Sequence, residues 1–411
     1  MKTRTLRKLA LLLALTAALF ASAGAANAQQ TSAQFVIGSG SDTTWYMMHA
    51  LGDLYSQAPG CNQLFSPQPL NGTCPNSASE DPANSENYFH DTVVQRMWIG
   101  SGGGINQMCK QTLANVSPVD FARSSRVPLP ASAGGSDCTG LHFVGFARDG
   151  ISWECFPGHT GAGCKPLVAG TNSLTIAQLK NIFVNCSVTN WNQIGGSSKA
   201  IHVYVAQANS GSGVTWASNL DVQLAAGQAL TQCVDNPANP GQPGSNVSPE
   251  NTNTLIHTNG DEANAIFPYS VGVYRRTYHS LKGNDGSSLG RINGVVPTNA
   301  NIQGGGFPVS RFLFNVYCAG DPANTDHCGT TSAAPEWVTN FVGEDGFLCK
   351  PLADHRNTSG DLIRDPLTGK PYRKAAVHGQ PQGLIPGTIL QQGFVPLKKQ
   401  SDNSFCVTFT T

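Results

Sequence analysis

The sequence predicts an α/β protein built around parallel β-sheet. Apolar, β-branched runs alternate along the chain with segments of helical periodicity. At several of these places a short turn rich in serine and glycine joins the strand to the helix. Strand, tight turn and helix in this repeated order are typical of parallel sheet, in which ligands bind beyond the carboxyl ends of the strands.

Strands are predicted from β-prone apolar runs at Phe35–Ile37, Val93–Ile99, Val119–Phe121, Leu141–Phe146, Ile201–Val205, Ile266–Tyr274 and Arg311–Tyr317. Helices are predicted at Trp45–Tyr55, Ile105–Leu113, Leu174–Phe183, Val214–Leu224 and Pro335–Val342. The helix that ends at Phe183 has the strongest signal, because Thr175 and Gln178 form a capping box before a single apolar face. Polar, turn-rich segments are predicted to be surface loops at Asn76–Glu86, Asp235–Asn264 and Asp354–Lys374.

The amino-terminal segment has the three parts of a secretory signal peptide. A basic start is followed by an apolar run over Leu9–Phe20 and by the small-x-small sequence Ala26–Ala28. The apolar run is too short to cross a bilayer, so we expect cleavage to leave a mature chain that begins at Gln29. No cysteine lies near this site and no later run is long enough to span a membrane. We therefore expect a periplasmic or extracellular protein without a lipid anchor.

The charge balance argues against nucleic acid or an anionic membrane as a partner. Residues 1–28 carry four of the 25 Lys and Arg, which leaves 21 basic against 25 acidic residues in the mature part. Nucleic acids and anionic membranes both bind basic surfaces. The mature length, roughly 380 residues, exceeds one typical core and indicates two domains.

All twelve cysteines lie in the mature part, and an even number in an exported chain indicates disulfide bonds. Their spacing lacks the C-x-x-C and paired-histidine patterns of zinc sites, so neither a metal nor another cofactor is predicted. The sequence does not determine the connectivity, and we expect neighbours along the chain to pair. The pairs would be Cys61–Cys74, Cys109–Cys138, Cys155–Cys164, Cys186–Cys233, Cys318–Cys328 and Cys349–Cys406.

Four Ser/Gly clusters indicate an anion site. They are GSGSDTT at Gly38–Thr44, GSGGG at Gly100–Gly104, ARSSR at Ala122–Arg126 and NSGSG at Asn209–Gly213. At least three lie where a predicted helix begins, and helix starts present unpaired N–H groups and the positive end of the helix dipole. One such turn means little. Four together, one of them bracketed by arginines, predict a small oxyanion held by several loops.

The order of these motifs resembles that of the phosphate-binding proteins of ABC uptake systems. The first three clusters follow in the family's order, and the most specific part is LTIAQLKNIF at Leu174–Phe183 followed by TNWNQIG at Thr189–Gly195. Ser210–Ser212 resembles the family's S-G-T turn, and FPVSR at Phe307–Arg311 resembles the return of the chain to the first domain.

The resemblance implies a type II periplasmic binding protein fold, in which two α/β lobes joined by two hinge strands close over a dehydrated ion. After a signal peptide over 1–28, the first lobe would hold 29–145 and 308–411, and the second lobe 146–307. The hinge strands would lie near Leu141–Ala147 and Phe307–Tyr317. The anion contacts would come from the four clusters, at Ser41, Asp42, Thr43, Ser101, Gly102, Ser124, Ser125, Ser210, Gly211 and Ser212.

Two charged groups of the family's site are missing at the matching positions. Ser125 replaces the carboxylate that accepts a hydrogen bond from protonated phosphate, and the uncharged pair Ala206–Gln207 stands in the region of an arginine. Asp42 could supply the acceptor and Arg123 or Arg126 the cation, because a guanidinium group binds oxyanions through two parallel hydrogen bonds. Both arginines and Gln207 are therefore further candidates for the site.

The resemblance implies an exported, non-enzymatic and monomeric protein that captures a small oxyanion, inorganic phosphate above others, for a membrane permease of the ABC type. Two alternatives stay open. An extracellular interaction or matrix module could keep the fold without transport. A secreted phosphatase or esterase could use a serine in a Gly-rich turn, although the chain has no G-x-S-x-G elbow.

Overall fold

The computed structural model describes residues 35–56, 92–109, 119–129, 137–225, 227–234, 246–319, 334, 336–349, 384–402 and 404–410. The strands are β1 Phe35–Gly40, β2 Thr92–Trp98, β3 Phe121–Ser124, β4 Leu141–Cys155, β5 Ser173–Leu174, β6 His202–Val203, β7 Val205–Ala206, β8 Val247–Ser248, β9 Ala265–Ser270, β10 Ser288–Leu289, β11 Arg291–Ile292, β12 Ser310–Cys318, β13 Val395–Pro396 and β14 Val407–Thr410. The α-helices are α1 Trp45–Ser56, α2 Gly100–Cys109, α3 Lys165–Ala169, α4 Ile176–Phe183, α5 Gly211–Asn219, α6 Thr254–Asn259, α7 Val271–Tyr278, α8 Asn299–Gln303, α9 Glu336–Val342 and α10 Leu384–Gln391.

The main sheet has the strand order β2-β1-β3-β12-β4-β9-β6, and β10, β13 and β14 also pair with β4. β1 is parallel to both β2 and β3, and β6 is parallel to β9. β4 pairs with β12 along its first part and with β9 over Ile151–Glu154. One group of parallel strands (β1, β2 and β3) is thus joined to another (β6 and β9) through β4 and β12. The expected hinge segments lie largely within β4 and β12. The predicted α/β class is confirmed.

Buried apolar faces hold the helices against the sheet. α4 buries Leu179, Ile182 and Phe183, and the capping box that Thr175 and Gln178 form before it is present as predicted. α1 buries both methionines of its first turns beside strand residues such as Phe121. The apolar residues whose spacing predicts these helices therefore form the faces that pack against the sheet.

Several predicted boundaries are wrong: the strand predicted over Val119–Phe121, for example, is β3 at Phe121–Ser124. Three of the wrong boundaries lie at helix starts, and local capping explains two of them. The strand predicted over Ile266–Tyr274 ends at Ser270, because Ser270 Oγ accepts a hydrogen bond from the Val273 N–H at 3.1 Å and begins α7. The helix predicted over Val214–Leu224 begins earlier, at Gly211, because Ser210 caps it in the same way. The third is α2, which includes the second Ser/Gly cluster instead of following it.

The segment Asp235–Asn264 is not wholly a surface loop as predicted. It contains β8 and α6, and its buried polar residues are Asn246, Ser248, Glu250, Asn253 and Asp261. β8 pairs in parallel with β7, which draws this polar segment against the second group of strands. The other two predicted loops, Asn76–Glu86 and Asp354–Lys374, lie outside the described residues.

Disulfide bonds join the expected neighbours wherever both cysteines are described. The confirmed pairs are Cys109–Cys138, Cys155–Cys164, Cys186–Cys233 and Cys349–Cys406. The other two pairs, like the predicted signal peptide, lie wholly or partly outside the described residues. Within the described part of the chain, no helix is both long and apolar enough to cross a bilayer, and no group of three or more His, Cys, Asp or Glu could hold a metal ion.

Candidate anion-binding site

All four Ser/Gly clusters meet beyond the carboxyl ends of β1 and β3, which end directly before Ser41 and Ser125. Ser125 Oγ lies 3.0 Å from Ser41 Oγ and 3.2 Å from Ser101 Oγ. Thr43 Oγ1 lies 3.3 Å from Ser212 Oγ, which belongs to the fourth cluster. The topology thus brings together small hydroxyl groups from four places that are far apart in the sequence.

The fourth cluster approaches the other three through a glycine. A Cβ atom at Gly211 would overlap both Ser101 Oγ and Ser125 Oγ. The Gly102 N–H also donates to the Asn209 carbonyl at 3.0 Å, so a backbone hydrogen bond joins the second and fourth clusters. The NSGSG turn can therefore lie directly against the GSGGG and ARSSR turns.

Three helices begin at these clusters and direct their amino-terminal N–H groups toward them. α1 begins just after the first cluster, α2 contains the second, and α5 begins within the fourth. Ser210 caps α5, since its Oγ accepts a hydrogen bond from the Gly213 N–H at 2.9 Å. The positive ends of three helix dipoles therefore favour negative charge here.

The donors converge on the carboxylate of Glu250, a residue that no sequence motif indicates. Glu250 Oε1 accepts from the Thr43 N–H at 3.4 Å, from Thr43 Oγ1 at 3.3 Å and from Ser41 Oγ at 3.5 Å. Glu250 Oε2 accepts from the Ser212 N–H at 3.1 Å and from Ser210 Oγ. Glu250 is only 4% exposed. The arrangement can thus hold an oxygen-bearing anion through neutral donors.

Glu250 reaches the site because of a pairing between distant strands: it lies two residues after the end of β8. The next residue, Asn251, has a φ of 62°, and its side chain donates to Thr43 Oγ1 at 2.9 Å and accepts from the Ser270 N–H at 3.1 Å. Glu250 itself lies in a run of Ser, Pro, Asn and Thr that has no apolar periodicity. The pairing of β8 with β7, rather than any local pattern, brings it to the site.

Asp42 lies beside the donors rather than among them. Its Oδ1 accepts from the Gly100 N–H at 3.0 Å, and its Oδ2 accepts from Gln207 Nε2 at 3.3 Å. Burial and then the charge of Glu250 raise the pKa of Asp42 to about 7. Asp42 is thus a carboxyl group that takes up a proton near neutral pH.

The two candidate arginines of the third cluster bind other parts of the chain. Arg123 donates to Gln95 Oε1 at 2.7 Å and to the Ser41 carbonyl at 3.3 Å, and burial lowers its pKa to about 9. It therefore supports the first turn from behind. Arg126 pairs with Asp137 at 2.7 Å, and Ser124 Oγ donates to the Arg126 carbonyl. The structure does not bring Ser124 or Arg126 to the converging donors.

Arg311 is a further guanidinium group that contacts the first and third clusters. It donates to Thr43 Oγ1 at 3.3 Å and to the Ser125 carbonyl at 3.0 Å, and it pairs with Asp149 at 2.8 Å. The FPVSR sequence indicated this residue only as part of the returning strand. Its position on β12, antiparallel to β4, accounts for the contact with Asp149.

Comparison with known proteins agrees with this architecture. The profile of the PBP superfamily domain matches residues 83–342, more than half of the chain. The chain therefore belongs to the PBP superfamily, and its fold is the periplasmic binding protein fold that the resemblance implies. No curated protein sequence matches the chain at a significant level.

Solved structures resemble the chain at low sequence identity. A phosphate ABC transporter substrate-binding protein from Clostridium perfringens, with bound phosphate, is 15% identical over 89% of this chain and 100% of its own, with a TM-score of 0.51. An ABC-type phosphate transport receptor from Vibrio cholerae is 18% identical over 69% of this chain and 87% of its own, with a TM-score of 0.43. A phosphate-binding protein from Stenotrophomonas maltophilia is 13% identical over 89% of this chain and 91% of its own, with a TM-score of 0.46. Of these three, the Clostridium perfringens structure is the one whose TM-score exceeds 0.5, and its similarity supports the fold.

Proposed function

We propose that the protein captures a small oxyanion, inorganic phosphate above others, in a cleft between two lobes and delivers it to an ABC-type permease. The observation that carries the proposal is the convergence of Ser, Thr and backbone N–H donors on one buried carboxylate. Donors that already hold two carboxylate oxygens suit the oxygens of phosphate, and helix starts suit its charge. The phosphate bound to the Clostridium perfringens protein supports the choice of anion.

The proposed lobes follow the strand order. The first would hold 29–145 and 308–411 and the second 146–307, with 1–28 removed as a signal peptide. β4 and β12 would connect the lobes. β12 pairs with β3 and with the first part of β4, and the last part of β4 pairs with β9. The four clusters meet where these two groups of strands adjoin. Ligand-driven closure of the cleft would remove water and strengthen each hydrogen bond.

The proposed ligand contacts are the converging donors and their immediate neighbours: Ser41, Thr43, Ser101, Gly102, Ser125, Ser210, Gly211 and Ser212. Asp42 and Gln207 would flank them, Arg123 would support the first turn, and Arg311 would supply positive charge through Thr43 and Ser125. No catalytic step, cofactor or nucleic acid is needed. We propose that the protein acts as an exported monomer.

Calorimetry on the mature chain, freed of ligand, tests this function. Titration with phosphate, sulfate, arsenate and molybdate is expected to give one strong response near 1:1. Thr43→Val removes a donor without changing the side-chain size, and should weaken binding by at least about tenfold, because hydrogen bonds to charged groups contribute about 1.5–3 kcal/mol. Thr258→Val is the matched control, since Thr258 Oγ1 donates within α6 to the Thr254 carbonyl. Silence toward all four anions would contradict the proposal.

A further inference from the structure

Glu250 holds the position of a ligand but belongs to the chain itself. It lies in the proposed second lobe, as do two of its donor residues, Ser210 and Ser212. The others, Ser41 and Thr43, lie in the proposed first lobe. Its carboxylate therefore links the two lobes through hydrogen bonds, as a bound anion would.

An N–H or O–H hydrogen makes one good hydrogen bond at a time. The Thr43 and Ser212 N–H groups cannot serve an external oxyanion at full strength while Glu250 accepts from them. The site is also buried, so an anion placed beside Glu250 would face a second negative charge with little water between them. An oxyanion that uses these donors must first displace the carboxylate.

Other contacts also hold the two proposed lobes together. The Gly102 N–H donates to the Asn209 carbonyl, Gln207 Nε2 donates to Asp42 Oδ2, and Asn251 Nδ2 donates to Thr43 Oγ1. Glu250 lies among these contacts and accepts from the buried Thr43 and Ser212 N–H groups. A closed cleft is thus compatible with the Glu250 carboxylate in place of a bound anion.

We propose that Glu250 is an intramolecular competitor of the ligand, which closes the cleft on its own carboxylate and determines which anions can enter. This inference rests on the proposed oxyanion-binding function. A tethered carboxylate has a high effective concentration, so it excludes free monocarboxylates, which offer only the two oxygens that Glu250 already provides. A tetrahedral oxyanion can engage additional donors such as Ser101 and Ser125. Its apparent affinity is its intrinsic affinity multiplied by the fraction of molecules in which Glu250 has left the donors, so a small fraction means weak binding.

Small-angle X-ray scattering and calorimetry on wild type, Glu250→Gln and Glu250→Ala test the inference. The wild type without ligand should scatter as a compact, closed molecule and change little on addition of phosphate. Both variants should be more extended without ligand, become compact with phosphate and bind it at least tenfold more tightly. Formate or acetate should also compact Glu250→Ala but not the wild type, because either can replace the missing carboxylate. Glu262→Gln is the matched control, since Glu262 bonds to His257 within the second lobe.

Each outcome is decisive. An open wild type without ligand overturns the inference whether or not any variant folds. Equal or weaker phosphate binding by folded Glu250 variants also overturns it, and weaker binding would make Glu250 a partner of the ligand instead. If no anion binds to wild type or variants, the proposed function fails. The scattering arm still tests Glu250 in that case, because opening of the Glu250→Ala protein and its closure by formate require no phosphate.

Discussion

At the scale of single residues, the site combines many neutral donors with few and compensated charges. Arg123 and Arg311 are both buried, and each donates to backbone carbonyls of the Ser/Gly turns. Their hydrogen bonds fix the turns in place while the hydroxyl and N–H groups face the carboxylate of Glu250. The two guanidinium groups thus act on Glu250 through the turns and do not contact its carboxylate directly. The charge that changes near neutral pH at this site is that of Asp42.

Replacement of Asp42 by asparagine should reduce the pH dependence of stability. The folded state raises the pKa of Asp42 to about 7, well above its value in an unfolded chain. Between these two values the folded protein binds a proton that the unfolded chain does not, so the free energy of unfolding falls as pH rises. The asparagine side chain would mimic the neutral form of Asp42. Gln207 Oε1, for which the described residues offer no partner, could then accept a hydrogen bond from the new amide group.

Urea unfolding at pH 5 and pH 8 measures this effect. The wild type should lose about 3 kcal/mol more than Asp42→Asn over this interval, since each pKa unit corresponds to about 1.4 kcal/mol. Comparing the two proteins cancels the contribution of other buried acids such as Glu154, whose pKa burial also raises. Parallel pH profiles would show that Asp42 does not take up this proton.

Arg311→Met should destabilise the fold strongly. The Arg311 and Asp149 side chains are 3% and 0% exposed, so loss of the guanidinium group leaves Asp149 as an unpaired buried charge. We expect a loss of about 3–5 kcal/mol in the free energy of unfolding. Lys180→Met is the contrasting control, because Lys180 pairs with an exposed Asp221 and should cost less than about 1 kcal/mol. Similar losses for both variants in chemical denaturation would contradict this account.

At the scale of elements, the sequence predicts those strands and helices whose signals are local. β1 and α4 follow from an apolar run, turn residues and the Thr175 capping box. The boundary between β9 and α7 could not be predicted in this way, because the run Ile266–Tyr274 is apolar on both sides of Ser270. The helix start there depends on Ser270 Oγ, which accepts from the Val273 N–H at 3.1 Å and donates to the distant Asp149 Oδ2 at 2.8 Å.

Thr175→Ala tests the best predicted element. Thr175 Oγ1 accepts from the Gln178 N–H at 3.1 Å, and Gln178 Oε1 accepts from the Thr175 N–H at 2.9 Å. Loss of the cap should lower the free energy of unfolding by about 1 kcal/mol, whereas Thr175→Ser should keep most of it. Phosphate affinity should not change, because α4 lies outside the site. Equal stability of the alanine and serine variants would contradict a capping role.

At the scale of the whole molecule, the site could be predicted only in part. The meeting of the four clusters can be predicted, because strands of a parallel sheet present their carboxyl ends at one edge. The positions of Glu250 and Arg311 cannot, since each depends on where a distant segment returns: β8 beside β7 and β12 beside β4. The residues that close a site between lobes come from several segments, so no local pattern contains them.

A partly exposed contact should retain the bound ligand by holding the proposed lobes together. Arg276 Cζ on α7 lies 3.8 Å from the centroid of the Tyr46 ring on α1. Cation–π pairs at exposed sites contribute about 0.5–1 kcal/mol, so Arg276→Gln should speed phosphate release by about two- to fivefold. The contact joins the two proposed lobes, so the stability of each should change little. Stopped-flow displacement of bound phosphate by an excess of a competing anion measures the release rate.

The adjacent arginine provides the control for this contact. Arg275 donates to Asn299 Oδ1 and to the Pro297 carbonyl, both within the proposed second lobe, so Arg275→Gln should leave the release rate unchanged. Tyr46→Leu should reproduce the effect of Arg276→Gln, and the double variant should add little, because both changes remove the same pair. Additive effects of the two substitutions, or equal release rates for the Arg275 and Arg276 variants, would show that the Tyr46–Arg276 pair does not restrain opening.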